Sequence, residues 1–191
     1  MWQEKTDKKN RLDIKNMTMV GVFVVLIAVG AFIKFPIWFI PFSLQFIFTN
    51  LAGLILGKKY GALAVIIYAI VGLLGVPIFT AGGGIGYVFQ PSFGYIIGMA
   101  VGAFVVGHYT ENRRDLKSMI IGSLLNMIVI YAIGLPYLVL IINVYLSKAV
   151  ALKTLVVSGF LITIPGDIVK FLQYLLRKLT SISDDASIGF N

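Results

Sequence analysis

The 191-residue chain contains no cysteine, which excludes disulfides, thiolate metal sites and thiol nucleophiles. It has one histidine, His108; a lone imidazole beside Arg113 and Arg114 at the end of an apolar run is more often an interfacial residue than a metal ligand. Charge is scarce, with 13% Asp, Glu, Lys and Arg against 59% hydrophobic residues and a mean hydropathy of +0.94. A soluble domain carries about a quarter charged residues, so this chain belongs in a lipid bilayer. Acidic residues are scarcer than basic ones, eight against sixteen, for a net charge of +8. The basic residues stand in short clusters between apolar runs instead of lining one face, a pattern of membrane topology that makes nucleic acid no expected partner. Cofactor motifs are missing as well: there is no P-loop ending in GKS or GKT, no GxGxxG after a strand and no HExxH, so neither nucleotide hydrolysis nor metalloprotease chemistry is expected.

What is present is a series of long uncharged runs. The polar first sixteen residues carry Lys5, Lys8, Lys9, Arg11 and Lys15, and Met17 to Ile33 then reads as a retained first transmembrane helix, too long for the core of a signal peptide. A turn bounded by Pro36 and Pro41 leads into a short second span from Phe42 to Gly57, closed by Lys58 and Lys59. Tyr60 to Gly107 carries no charge and is too long for one crossing at about 1.5 Å per residue, so two helices are expected, broken at the Gly- and aromatic-rich segment from Pro77 to Pro91. Ser118 to Ser147, with Pro136 inside it, predicts a fifth span. A sixth is expected to start near Pro165, a favoured first helical residue, and to end near Arg177 and Lys178. The fold class expected is an all-α integral membrane protein of six helices. Twelve Lys and Arg fall on the side of the amino terminus, three on the other, so both termini are expected in the cytoplasm. Residues 1–16 then form a basic cytoplasmic segment, 17–179 a single membrane domain and 180–191 a cytoplasmic tail.

Asp167 is the only acidic residue within the apolar runs, and Lys170 follows three residues later on the same helix face. A charge at the bilayer centre costs about 2.5 to 3.5 kcal/mol on insertion scales. The pair is therefore either a structural ion pair or the polar end of a ligand pocket. Placed in the first turn of the sixth helix, Asp167 is favoured by the positive end of the helix dipole and lies near the outer face. At the same depth come Gln45 and the segment holding Tyr87, Gln90, Ser92 and Tyr95, where Gly82, Gly83, Gly84 and Gly86 read either as a flexible turn or as a lid able to close over a ligand. Gly53, Gly57 and Gly61, and again Gly94, Gly98 and Gly102, recur every four residues, which suits close helix packing in lipid. Asn50 and Asn126 are expected to form interhelical hydrogen bonds.

These residues carry a family resemblance. The run FSLQFIFTNLAGLILGKKYGALAVIIYAIVGLLGVPIF, then GGGIGYVFQPSFGYIIG, then PGDIVK, is similar to the BioY family, the biotin-binding S components of energy-coupling factor (ECF) vitamin importers. Similarity extends from about Ala31 to Lys170. The family's PGDxxK motif falls on Pro165, Gly166, Asp167 and Lys170, its PTGGY-like motif on Pro91 to Tyr95, and its LQ pair on Leu44 and Gln45. Phe93 stands where many members carry glycine. Helix one of S components usually offers alanines four apart for docking, where this chain has Gly21 and Val25, with Ala28 further along.

The resemblance implies a compact six-helix subunit of the cell membrane, without catalysis of its own, that captures biotin from outside and associates with a transmembrane coupling protein and two ATPases. Biotin's head is a neutral cyclic urea needing acceptors for two N–H groups and a donor for its carbonyl; Asp167 could accept, and Lys170 or Gln45 could donate. One rival is an ion-coupled transporter with Asp167 as proton relay. Another is an intramembrane enzyme, which would need a second catalytic group the runs do not supply.

Overall fold

The computed structural model describes residues 2–37, 40–113 and 115–145, with side chains for 14–33, 43–113, 115–143 and 145. The sixth helix expected from Pro165, with Asp167 and Lys170, lies outside the described residues. Within them the elements are α1 (Trp2–Phe32), a ribbon of β1 (Lys34–Ile37) and β2 (Ile40–Ser43), α2 (Gln45–Leu73), a 3₁₀ turn (Ile85–Phe89), α3 (Phe93–Thr110), α4 (Leu116–Leu140) and a π turn (Ile141–Tyr145). The stretches 14–32, 93–110 and 116–143 are each long and apolar enough to cross a membrane, as is 45–73 by total length and composition.

The structure departs from the expected elements at three places. The first helix begins fifteen residues before Met17, at Trp2, since the Lys-, Glu- and Arg-containing segment has adequate helix propensity despite its polarity. The proline-bounded turn is an antiparallel ribbon in which Pro36 faces Pro41. Both strands of a two-stranded ribbon are edges, where a missing N–H is tolerated, and β-branched and aromatic residues favour extension. The ribbon makes the described fold mostly, not wholly, helical.

The third difference is the form taken by the second and third spans. The stretch from Gln45 to Leu73 is continuous except at Gly57, where φ is 77° and ψ −180°. Two contacts show that the chain doubles back there. Gln45 Nε2 lies 2.7 Å from Tyr68 Oη, although 23 residues along a straight helix would separate them by about 35 Å. A Cβ placed on Gly61 would come within 2.7 Å of Gly53 Cα. Residues 45–56 and 58–73 are thus the two arms of a helical hairpin, which accords with the two spans divided at Lys58 and Lys59.

The interior is built around α3, which packs against α2 on one side and α4 on the other, while α1 packs against α2. Phe46, Val65, Tyr68, Phe79, Tyr95, Met99 and Ile130 are buried in one continuous apolar cluster. Val20, Phe23 and Ile27 of α1 join it, whereas Val22, Val25, Val29, Ile55, Ile66, Phe104 and Ile128 face outward, as lipid-facing positions do. The glycine spacing works as expected along the α3–α4 seam: Gly94 meets Tyr137, Gly98 lies against the Ile130 backbone and Gly102 against Asn126. Gly57 is the exception, a turn residue with open space around it. Asn126, fully buried, donates to Asn50 Oδ1 at 2.8 Å; Asn50 donates to Ser123 Oγ at 2.9 Å, and Ser123 donates to the Met119 carbonyl at 2.8 Å. The expected interhelical hydrogen bonds therefore join the first arm of α2 to α4.

Candidate functional site

The two ends of the bundle differ in kind. At one end the Gly57 turn brings Lys58 and Lys59 beside the α3–α4 connection. Lys58 Nζ lies 2.7 Å from Glu111 Oε2, and a Cβ on Gly107 would strike the Lys58 backbone, so the turn rests directly on α3. The Lys58 hydrogen bond holds the Glu111 carboxyl below its ordinary range. Asp115 caps α4, accepting from Ser118 N at 3.0 Å and Ser118 Oγ at 2.8 Å, and these bonds hold its carboxyl low as well. His108 stacks on Phe104 with ring centroids 6.2 Å apart and has Nδ1 3.8 Å from Glu111 Oε2.

The opposite end gathers neutral polar groups and aromatic rings. Gln45, first residue of α2 and 3% exposed, donates to Tyr68 Oη at 2.7 Å and accepts from Ser43 Oγ at 3.2 Å. Tyr68, fully buried, donates in turn to the Ile78 carbonyl at 3.0 Å. Tyr68 was not among the residues singled out from sequence.

Beyond Ile78 the Gly-rich segment folds into a tight turn. Phe79 and Gly82 exchange backbone hydrogen bonds of 2.9 and 3.2 Å, and Gly84 N donates to the Gly72 carbonyl at 2.8 Å. Gly82 and Gly84 have φ of 115° and 98°, which side chains rarely adopt. Gly83 lies against the Val76 carbonyl and Gly86 in open space. The segment is anchored from beneath by Phe79 and Tyr87, both buried, whose ring centroids are 4.3 Å apart; Tyr68 meets Phe79 edge-on at 5.4 Å.

Tyr87 Oη lies 2.8 Å from Thr80 Oγ1 and 3.1 Å from Ser92 Oγ, so Thr80 joins the two residues expected there. Tyr137 of α4 donates to the Val88 carbonyl. Phe93 packs between Tyr87 and Tyr137, at 6.4 and 6.1 Å. Tyr95 is 8% exposed, meets Tyr131 edge-on at 6.0 Å, and has a buried hydroxyl with no partner among the described residues. Gln90 is exposed, its backbone N–H bonded to the Tyr87 carbonyl at 2.9 Å.

The structure thus brings Gln45, Tyr87, Ser92 and Tyr95 to one end of the bundle, with Tyr68 and Thr80 added. Hydroxyls and an amide set among flat rings can orient a small neutral ligand through hydrogen bonds while apolar surface holds its body. Of the expected docking residues on α1, Gly21 has nothing within 4 Å of an added Cβ and Val25 is exposed, while Ala28 is half-buried.

The model of the BioY family matches residues 5–181. The chain is 40% identical over 154 residues to a probable biotin transporter BioY of Lysinibacillus sphaericus, covering 80% of this chain and 79% of that protein. It is 32% identical over 167 residues to the biotin transporter BioY of Thermotoga maritima, covering 87% and 95%. Its structure resembles a crystal structure of the S component for biotin from an ECF-type ABC transporter, with a TM-score of 0.74 and 27% identity over 90% of this chain and 94% of that one. With that match spanning nearly its whole length, the chain belongs to the BioY family.

Proposed function

We propose that this chain is the substrate-binding membrane subunit of a biotin uptake system, a multi-pass protein of the cell membrane and not an enzyme. The observation that carries the reading is the family match from residue 5 to residue 181, together with relatives named as biotin transporters and the likeness to a biotin S component. The basic end faces the cytoplasm in this reading, because Lys58, Lys59, Arg113 and Lys117 gather there. The end holding Gln45 and the Gly-rich turn faces outward and receives the ligand.

A sixth helix completes the membrane domain of residues 17–179 and leaves both termini inside. It supplies Asp167 as an acceptor for the ureido N–H groups and Lys170 as a donor for the ureido carbonyl. Gln45, Tyr87, Gln90, Ser92 and Tyr95 form the rest of the pocket, and the turn of Gly82, Gly83, Gly84 and Gly86 covers it. The partners are an ECF transmembrane coupling protein and two ATPases, the former docking on α1 around Gly21, Val25 and Ala28.

The test is direct binding. Purified protein in detergent is titrated with labelled biotin, riboflavin and thiamine, then compared with Asp167→Asn and Lys170→Ala. Selective binding of biotin, lost at least tenfold in both variants, is expected on the scale of a charged hydrogen bond of about 1.5–3 kcal/mol. No biotin binding by the unaltered chain would remove the substrate assignment. Unchanged binding by both variants would move the site elsewhere.

A further inference from the structure

We infer that Tyr68 is a positioning residue: its buried hydroxyl fixes the orientation of the Gln45 amide and ties that amide to the Ile78 carbonyl, at the start of the outer turn. This rests on the reading above, in which Gln45 belongs to the biotin pocket.

A tyrosine hydroxyl has one proton to donate, and a carbonyl can only accept. The Tyr68 proton is committed to the Ile78 carbonyl at 3.0 Å, so the 2.7 Å contact with Gln45 requires the amide N–H₂ to point at Tyr68. The amide oxygen must then face the other way, where Ser43 Oγ donates to it at 3.2 Å. The proton count and these contacts together fix which end of the Gln45 amide is nitrogen.

Three elements meet in this chain of bonds. Ser43 ends the ribbon, Gln45 opens the first arm of α2, and Tyr68 stands near the end of the second arm. Tyr68 and Gln45 are 0% and 3% exposed, so water does not compete with the relay. Among the described residues, the Gln45 amide retains one N–H and one oxygen lone pair beyond these bonds, a donor and an acceptor whose directions the relay sets. A ureido ring offers N–H groups and a carbonyl, and a fixed amide can meet it only in one sense. The same relay couples the pocket to its cover. If the turn withdraws the Ile78 carbonyl, the Tyr68 proton becomes available, Gln45 can rotate, and the donor and acceptor exchange places. Removing the hydroxyl should therefore weaken binding through Gln45, Tyr68 itself being fully buried.

Tyr68→Phe tests this, since it keeps the ring against Phe79 and deletes only the hydroxyl. Biotin affinity is measured for the unaltered chain, Tyr68→Phe, Gln45→Leu and the double variant. Tyr68→Phe is expected to weaken binding about tenfold, the scale of one or two hydrogen bonds. The double variant is expected to bind no more weakly than Gln45→Leu alone, because Tyr68 acts through Gln45. A second readout needs no ligand: in protein labelled with ¹⁵N-glutamine, the Gln45 side-chain amide protons should exchange slowly with solvent, and faster in Tyr68→Phe. Full affinity in Tyr68→Phe, independent losses in the double variant, or unaltered Gln45 exchange would each overturn the inference. If Gln45→Leu binds biotin normally, the positioning role falls while the transport reading stands; if the unaltered chain binds no biotin, that reading falls and the exchange measurement still decides whether the relay exists.

Discussion

At Gly57 the backbone has φ 77° and ψ −180°, a combination that costs a residue with a Cβ about 1–3 kcal/mol. Gly57→Ala should lower the unfolding temperature in detergent although the added methyl would meet open space; an unchanged temperature would show that the reversal tolerates other backbone geometries. Gly102 presents the opposite case, a glycine required for room. A methyl there would collide with Asn126 Oδ1 and push apart the bond to Asn50. Gly102→Ala is expected to cost about 1–3 kcal/mol, the penalty of stranding buried polar groups. Asn126→Ala should cost less in the Gly102→Ala background than in the native one, since both act on the same bond. Equal costs in the two backgrounds would separate the residues energetically.

Between elements, the ion pair of Lys58 and Glu111 joins the hairpin turn to the end of α3. Glu111 has its folded pKa lowered from 4.5, chiefly by the Lys58 hydrogen bond. A lowered carboxylate stabilises the fold above its unfolded pKa, and the contribution is lost as pH falls through the folded value. The stability difference between the native chain and Glu111→Gln should therefore be level near neutral pH and shrink in acid below about pH 4.5. It should also be small and weakened by salt, because both side chains are partly exposed. A difference growing as pH falls would reverse the assignment.

The division of α2 was legible because Lys58 and Lys59 interrupt two apolar runs, and the packing role of Gly94, Gly98 and Gly102 because spacing by four exposes one helix edge. Tyr68 was not legible. In the run YGALAVIIYAIVGLL a buried tyrosine and a lipid-facing one look alike, and its partners Gln45 and Ile78 are fixed only when the hairpin closes. Thr80 was hidden in the same way, its bond to Tyr87 being made by the turn. The ribbon was obscured by Pro36 and Pro41, which read first as breakers.

At the scale of the molecule, the segregation of basic residues predicts how the protein sits in its membrane. The chain's lack of cysteine makes the test simple. Ala81→Cys in the Gly-rich turn should react with a membrane-impermeant maleimide in intact cells, and Asn112→Cys between α3 and α4 only after permeabilisation, both positions being exposed. The reverse pattern would invert the bundle and place the Gln45 end inside. The hairpin has a bearing on biosynthesis too. Its arms, residues 45–56 and 58–73 on either side of Gly57, are about 18 and 24 Å long at 1.5 Å per residue, each shorter than a hydrocarbon layer of about 30 Å. Neither is a good passenger for the ribosome-bound insertion channel alone. They should leave it together, so that a nascent chain ending between them still waits at the channel and one extended beyond Leu73 has entered the lipid in a single step.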